Sequence, residues 1–156
     1  MDSTMKIEQT LKIISTIVAF LVITSCFRNN GGDSTFENLV KSTSVEVDKT
    51  YEVKLKQNIK FDFDKLYIFE GPRFPSEIEG IIKIKYNDLL DDGDRLYVYV
   101  KNNIITKQEK SASKDVNIHR LMNEQGYTIL YPQSIIFTKK KKHTSSFYYD
   151  TFYKNN

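Results

Sequence analysis

The sequence predicts an α+β body, one antiparallel sheet with two or three short helices. Three observations predict it. Phe and Tyr supply the whole 13% aromatic content, Trp being absent, and they stand with Ile, Val and Thr in short runs, which suits strands better than a helix bundle. Residues 45–63 alternate apolar and polar side chains with period two, the mark of half-buried antiparallel strands. Two or three stretches elsewhere carry helical spacing behind capping or turn residues. At 156 residues, 40% hydrophobic and 28% charged, the chain is long enough for one core and too short for two domains of ordinary size.

Taken in order, Phe36, Leu39 and Val40 have i, i+3, i+4 spacing, and Ser34 or Thr35 caps a short helix there. The alternation comes next: Val45 and Val47, then Tyr51, Val53 and Leu55, then Ile59, Phe61 and Phe63. The continuous run Leu66-Tyr67-Ile68-Phe69 suits a central strand covered on both faces, ended by the turn Glu70-Gly71-Pro72. Ser76-Glu77-Ile78-Glu79 behind Pro75 has the form of a capping box, with Ile78, Ile81 and Ile82 on one helical face. Residues 96–106 form a hairpin about Asn102-Asn103, since Asn tolerates the positive φ of a tight turn. Asp115 to Gln125 reads as a helix stopped by Gly126, with Ile118, Leu121 and Met122 inward. Tyr127 to Leu130, Ser134 to Thr138 and Phe147 to Tyr153 complete the strands.

The N-terminal segment has a different character. From Ile13 to Ile23 the chain is almost wholly apolar, and only 15 uncharged residues separate Lys12 from Arg28. That is the length of a signal-peptide core and shorter than the roughly 20 residues of a spanning helix. The stretch runs directly into Ile23-Thr24-Ser25-Cys26. These four residues resemble the lipobox of bacterial lipoproteins: an aliphatic residue, a small or aliphatic one, a small one, then Cys. Ile23 replaces the usual Leu, and Ser25 the usual Gly or Ala. The resemblance implies that residues 1–25 are a cleaved signal peptide, that the Cys26 thiol carries a diacylglyceryl group, and that the new amine is acylated, as with palmitate. Glu8 is unusual in such a leader, and translation starting at Met5 leaves a basic balance from Lys6, Lys12 and the amine. Cys26 is also the sole cysteine, so no intramolecular disulfide competes for it. Residues 26–35 then read as the lipidated Cys and a Gly-containing polar tether, and residues 36–156 as a single α+β domain. Within the body, the stretch from Asp62 to Ile105, with Phe63-Asp64-Lys65-Leu66-Tyr67-Ile68-Phe69 at its head, resembles small uncharacterised bacterial lipoproteins, a likeness that transfers no catalytic residue.

Candidates for chemistry are few. Asp88, Asp91, Asp92 and Asp94 surround Gly93, but aligning that Gly with the sixth position of a calcium loop puts Leu90 and Tyr99 where oxygen ligands are needed. An acidic turn before a strand is expected instead, with no metal. His119 and His143 are the only imidazoles and are expected on the solvated surface. No Gly-x-Ser-x-Gly elbow is present, and the carboxylates of Asp62, Asp64 and Glu70 form a pair only if the fold brings them together. Lys139, Lys140, Lys141 and Lys142 are the strongest charge feature, expected as a solvated hairpin loop or as a contact with an anionic surface of lipid headgroups or acidic glycan. Tyr97, Tyr99, Tyr148, Tyr149 and Tyr153 offer a partner surface if exposed. The net charge of +3 gives no support to nucleic-acid binding.

The expectation is therefore a membrane-anchored envelope lipoprotein, not an enzyme and without cofactor, whose domain stands outside the cytoplasm and binds an envelope protein or cell-wall glycan. The alternative is a small inhibitor or immunity-type lipoprotein that blocks an envelope enzyme.

Overall fold

The structure is a computed structural model that describes residues 32–154. Cys26, the lipobox, the apolar segment before it and most of the expected tether lie outside the described residues.

Among the described residues eight strands form two four-stranded sheets, where the sequence suggested one. The first sheet has the order β1 (Thr50–Lys54), β7 (Ile135–His143), β8 (Ser146–Phe152), β5 (Val116–Asn117), antiparallel except that β5 runs parallel to β8. The second has the order β4 (Ile104–Ser111), β3 (Arg95–Lys101), β2 (Lys65–Glu70), β6 (Tyr127–Leu130), antiparallel throughout. Alternation tells which face of a strand is apolar but not which sheet the strand joins. That limit is why the division into two sheets was hidden.

The second sheet is the middle layer. Leu66 and Ile68 of β2 and Tyr97 and Tyr99 of β3 face a core shared with Val53, Ile136 and Val116 of the first sheet and with Phe36 and Val40 of helix α1 (Thr35–Thr43). Tyr67 and Phe69, with Leu96, Val98 and Val100, face a second core closed by Ile78 and Ile82 of helix α3 (Pro75–Ile82) and by Tyr86 and Leu90. Both faces of β2 are thus covered, as its unbroken apolar run predicts. Among the described residues, every strand pairing and both cores lie within residues 34–153.

Local chemistry sets the ends of the elements. Ser34 caps α1: its Oγ accepts the Glu37 N–H at 3.1 Å while a Glu37 carboxylate oxygen accepts the Ser34 N–H at 3.0 Å. Asp33 packs there too, taking the Lys41 amine at 2.8 Å, so Asp33, Ser34 and Thr35, assigned to the tether, belong to the folded body. Helix α3 begins with Pro75 at its first position, but Glu77 reaches back to the N–H of Phe74 at 2.7 Å, so the cap is displaced from the expected Ser76. The hairpin β3–β4 turns on Asn102 and Asn103 at φ 50° and 58°, the mirror-image turn that matches strand twist. Gly71 has no room for a side chain, because a Cβ there would stand 2.0 Å from the Asp91 carbonyl oxygen.

Three expected elements are replaced. Ile59, Phe61 and Phe63 alternate and pack inward but pair with no strand, and β1 instead runs into the single helical turn α2 (Leu55–Asn58). Val45 to Val47 holds only an isolated bridge from Val47 to Lys140. The helix expected over Asp115 to Gln125 is β5 followed by one 3₁₀ turn at His119–Leu121. Local side chains compete with the helix there: Asn117 Oδ1 accepts the His119 N–H at 3.0 Å, and Asn123 Oδ1 accepts those of Gln125 and Tyr127 at 2.9 and 3.2 Å. Tyr149 N–H also donates to the Asp115 carbonyl at 2.7 Å, drawing the segment onto β8.

Candidate functional site

A polar concavity opens where the ends of the two sheets meet, with a volume of about 470 Å³. Glu70 ends β2 and Arg95 begins β3, directly opposite each other in register. The acidic turn 91–94 lies beside them, held by Gly71 N–H to the Asp94 carbonyl at 2.9 Å, with Gly93 taking the φ of +78° that the turn needs. Asn117 of β5, His119 of the 3₁₀ turn and Tyr148 of β8 form the opposite wall, and Lys114 stands at the rim.

Arg95 ties this place together. Its guanidinium is 12% exposed and donates to the carbonyls of Ser113 at 3.1 Å and Val116, on the approach to the first sheet. It stands 3.4 Å from Glu37 of α1 and 3.6 Å from Glu70. One arginine of the middle layer thereby joins a helix, a strand of the other sheet and its own neighbour. Glu37 is fully buried, and its Oε1 also accepts the Tyr97 hydroxyl at 2.8 Å. Burial, and then the charge of Glu37, hold the Tyr97 hydroxyl well above its usual ionisation range. Glu70 uses its second oxygen on His119 Nδ1 at 3.2 Å. His119 is 71% exposed, on a 3₁₀ turn rather than the expected helix, and leads into the cleft from its rim.

The cleft presents Lys114, Arg95 and His119 together with Glu70, Asp92 and Asp94. Such a lining suits a polar partner carrying both signs of charge, and its most buried groups already spend their hydrogen bonds on holding elements together. The carboxylates considered from sequence do not meet. Asp62 pairs with Lys101 at 2.6 Å, and Asp64 accepts the Asn102 N–H at 2.7 Å, both at the end of β2 opposite Glu70. Glu37 and Arg95 were missed, although Ser34-Thr35-Phe36-Glu37 has the spacing of a capping box. Nothing in a single sequence marks Arg95 as the partner.

The aromatic surface is smaller than expected. Tyr97 and Tyr99 are fully buried in the core between the sheets, while Tyr148 and Tyr149 are half-buried and Tyr153 is exposed. The four lysines are not a loop either. Lys139 to Lys142 lie within β7, whose pairing with β8 continues to His143 and Ser146, and the turn comes only there, with Thr144 at φ 50°. Lys140 packs its amine 4.5 Å from the ring centre of Phe147, and Lys141 lies 5.9 Å from that of Tyr148. Favourable contacts with rings across the ladder let a basic run continue as strand. The turn at 91–94 precedes β3 as expected, and among the described residues no group of three His, Cys, Asp or Glu side chains is arranged to hold a metal.

Among the described residues no helix is long and apolar enough to cross a membrane. The chain matches no protein-family profile, no curated protein and no solved structure.

Proposed function

We propose that the chain is an envelope lipoprotein, held on a membrane by lipid on Cys26, whose body is a non-catalytic module that binds an envelope protein or cell-wall glycan. The observation that carries the reading is the placement of Ile23-Thr24-Ser25-Cys26 directly behind an apolar stretch of signal-peptide length. Two acyl chains or more, at about 0.8 kcal/mol per buried CH₂, make such an anchor permanent where one chain is reversible. The start of the body supports it. Ser34, the cap of α1, stands eight positions after Cys26, and eight peptide units span at most about 29 Å. The domain is thus kept close to the bilayer.

The binding role is supported by the cleft between the sheet ends, where Lys114, Asp92 and Asp94 are presented on a frame braced by Glu37 and Arg95. Feeding cells a clickable fatty acid tests the anchor. Label is expected on the wild-type protein and none on Cys26→Ser; equal labelling of the two overturns the reading. A photo-reactive residue at Lys114 tests the module in the same cells: one specific cross-linked envelope component is expected. Cross-links no different from those of the same residue placed at Ile104, on the far hairpin, contradict the use of the cleft.

A further inference from the structure

The hairpin of β7 and β8 reaches beyond the cores. Thr138 and Thr151 face each other fully buried, whereas the pairs from Lys140 and Tyr149 outward to His143 and Ser146 are half-buried or exposed. Strand alternation divides the four lysines between its two faces. Lys139 and Lys141 share one face with carboxylates: Lys139 stands 3.5 Å from Asp48, and Lys141 stands 3.7 Å from Asp150, which also takes Arg120 at 3.5 Å. Lys140 and Lys142 share the other, and among the described residues neither has a carboxylate within 4.0 Å. Beside them lies Phe147, opposite Lys142 in register and 43% exposed. The hairpin therefore has a face whose lysines are paired with carboxylates and a face of two lysines without them beside an exposed aromatic ring.

We infer that the Lys140, Lys142 and Phe147 face of this hairpin docks on the anionic phospholipid surface to which the chain is anchored, the amines on lipid phosphates and the ring at headgroup depth. The inference rests on the anchoring reading for its membrane. Charge complementarity carries it, since exposed lysines are attracted to anionic headgroups and an aromatic ring beside them favours the interface. Reach allows it. The nine residues of α1 span about 13.5 Å at 1.5 Å each, its end meets the hairpin where the Ser44 hydroxyl donates to Thr138 Oγ1 at 2.9 Å, and the five steps from Thr138 to His143 add about 17 Å. That path of about 30 Å matches the greatest span from Cys26 to Ser34. In the anchored protein the tether adds an effective concentration of about the millimolar range to the affinity the face has by itself.

The test uses residues 27–156, which contain every described element of both sheets and both cores, with circular dichroism checking that this protein and each variant are folded. Sedimentation with vesicles containing phosphatidylglycerol is expected to exceed that with phosphatidylcholine alone and to fade as salt is raised. Lys140→Ala/Lys142→Ala is expected to lower partitioning about thirty-fold, which at 1.36 kcal/mol per decade is the ~2 kcal/mol of two surface lysines. Lys139→Ala/Lys141→Ala is expected to change it less than about three-fold. Equal losses in the two double variants, equal binding to both vesicles, or binding to an acidic polysaccharide without binding to vesicles would each overturn the inference. Vesicle binding by this face together with failure of Cys26 lipidation would count against the anchor and not against the face.

Discussion

Truncating Glu37 to Ala is the sharpest probe of how the body is held together. The carboxylate is fully buried and serves three donors: the Ser34 N–H at 3.0 Å, the Tyr97 hydroxyl at 2.8 Å and the Arg95 guanidinium at 3.4 Å. Loss of the reciprocal cap costs about 1 kcal/mol. A buried hydroxyl left without its acceptor costs about 1–2 kcal/mol more. Arg95 keeps Glu70 and the carbonyls of Ser113 and Val116, so its share is nearer 1 kcal/mol than the full ~3–5 kcal/mol of a broken buried pair. The sum is about 3–4 kcal/mol. With a urea dependence near ~1.5 kcal/mol/M, the unfolding midpoint falls by about 2 M. Adding Tyr97→Phe removes the orphaned hydroxyl, so the double variant is expected to be less destabilised than the two single losses together by about 1 kcal/mol. A Glu37→Ala loss below about 1 kcal/mol, or strict additivity with Tyr97→Phe, would refute the clamp.

Two further outcomes are expected of the same packing. Burial is the first cause holding the hydroxyls of Tyr86, Tyr97 and Tyr99 above their usual ionisation range, with the charges of Asp88, Glu37 and Glu109 respectively adding to it. Their folded-state pKa values are raised, so their contribution is complete below pH ~10 and is lost as pH climbs from there through the folded values. Tyrosinate absorbance followed beside far-ultraviolet circular dichroism should show these three ionising only as the dichroism collapses, and all ten tyrosines ionising near pH ~10 in an intact fold would contradict it. Gly71→Ala puts a Cβ 2.0 Å from the Asp91 carbonyl oxygen, backbone that cannot rotate away. A loss of more than about 3 kcal/mol in chemical denaturation is expected, and a wild-type midpoint would contradict a steric requirement for glycine at this position.

What the sequence disclosed and what it hid divide along physical lines. Leu66 to Phe69, the Asn102-Asn103 turn and the Ser34 cap were legible because each is decided by neighbouring residues: two-sided burial, tolerance of positive φ, and a hydroxyl beside free N–H groups. The segment 115–125 misleads because Ile118, Leu121 and Met122 satisfy a helical period equally well in a 3₁₀ turn packed on β8. Lys139 to Lys142 mislead because charge suggests a loop, while the rings that support them as strand come from Phe147, Tyr148 and Tyr149 across the hairpin. The cleft could not be read at all. Glu70, Arg95, Asn117 and His119 converge only once two sheets are set against each other, and nothing local to any of them reports the others.

The proposed anchor stands on Cys26, and the intact mass of the mature protein from membranes tests it most directly. The expected species begins at Cys26, carries the added mass of a diacylglyceryl group and an N-acyl chain, and sediments with the membrane fraction, whereas Cys26→Ser leaves the precursor unprocessed and without lipid. A Cys26→Ser protein cut at the same bond and recovered with membranes as fully as wild type would contradict the anchor.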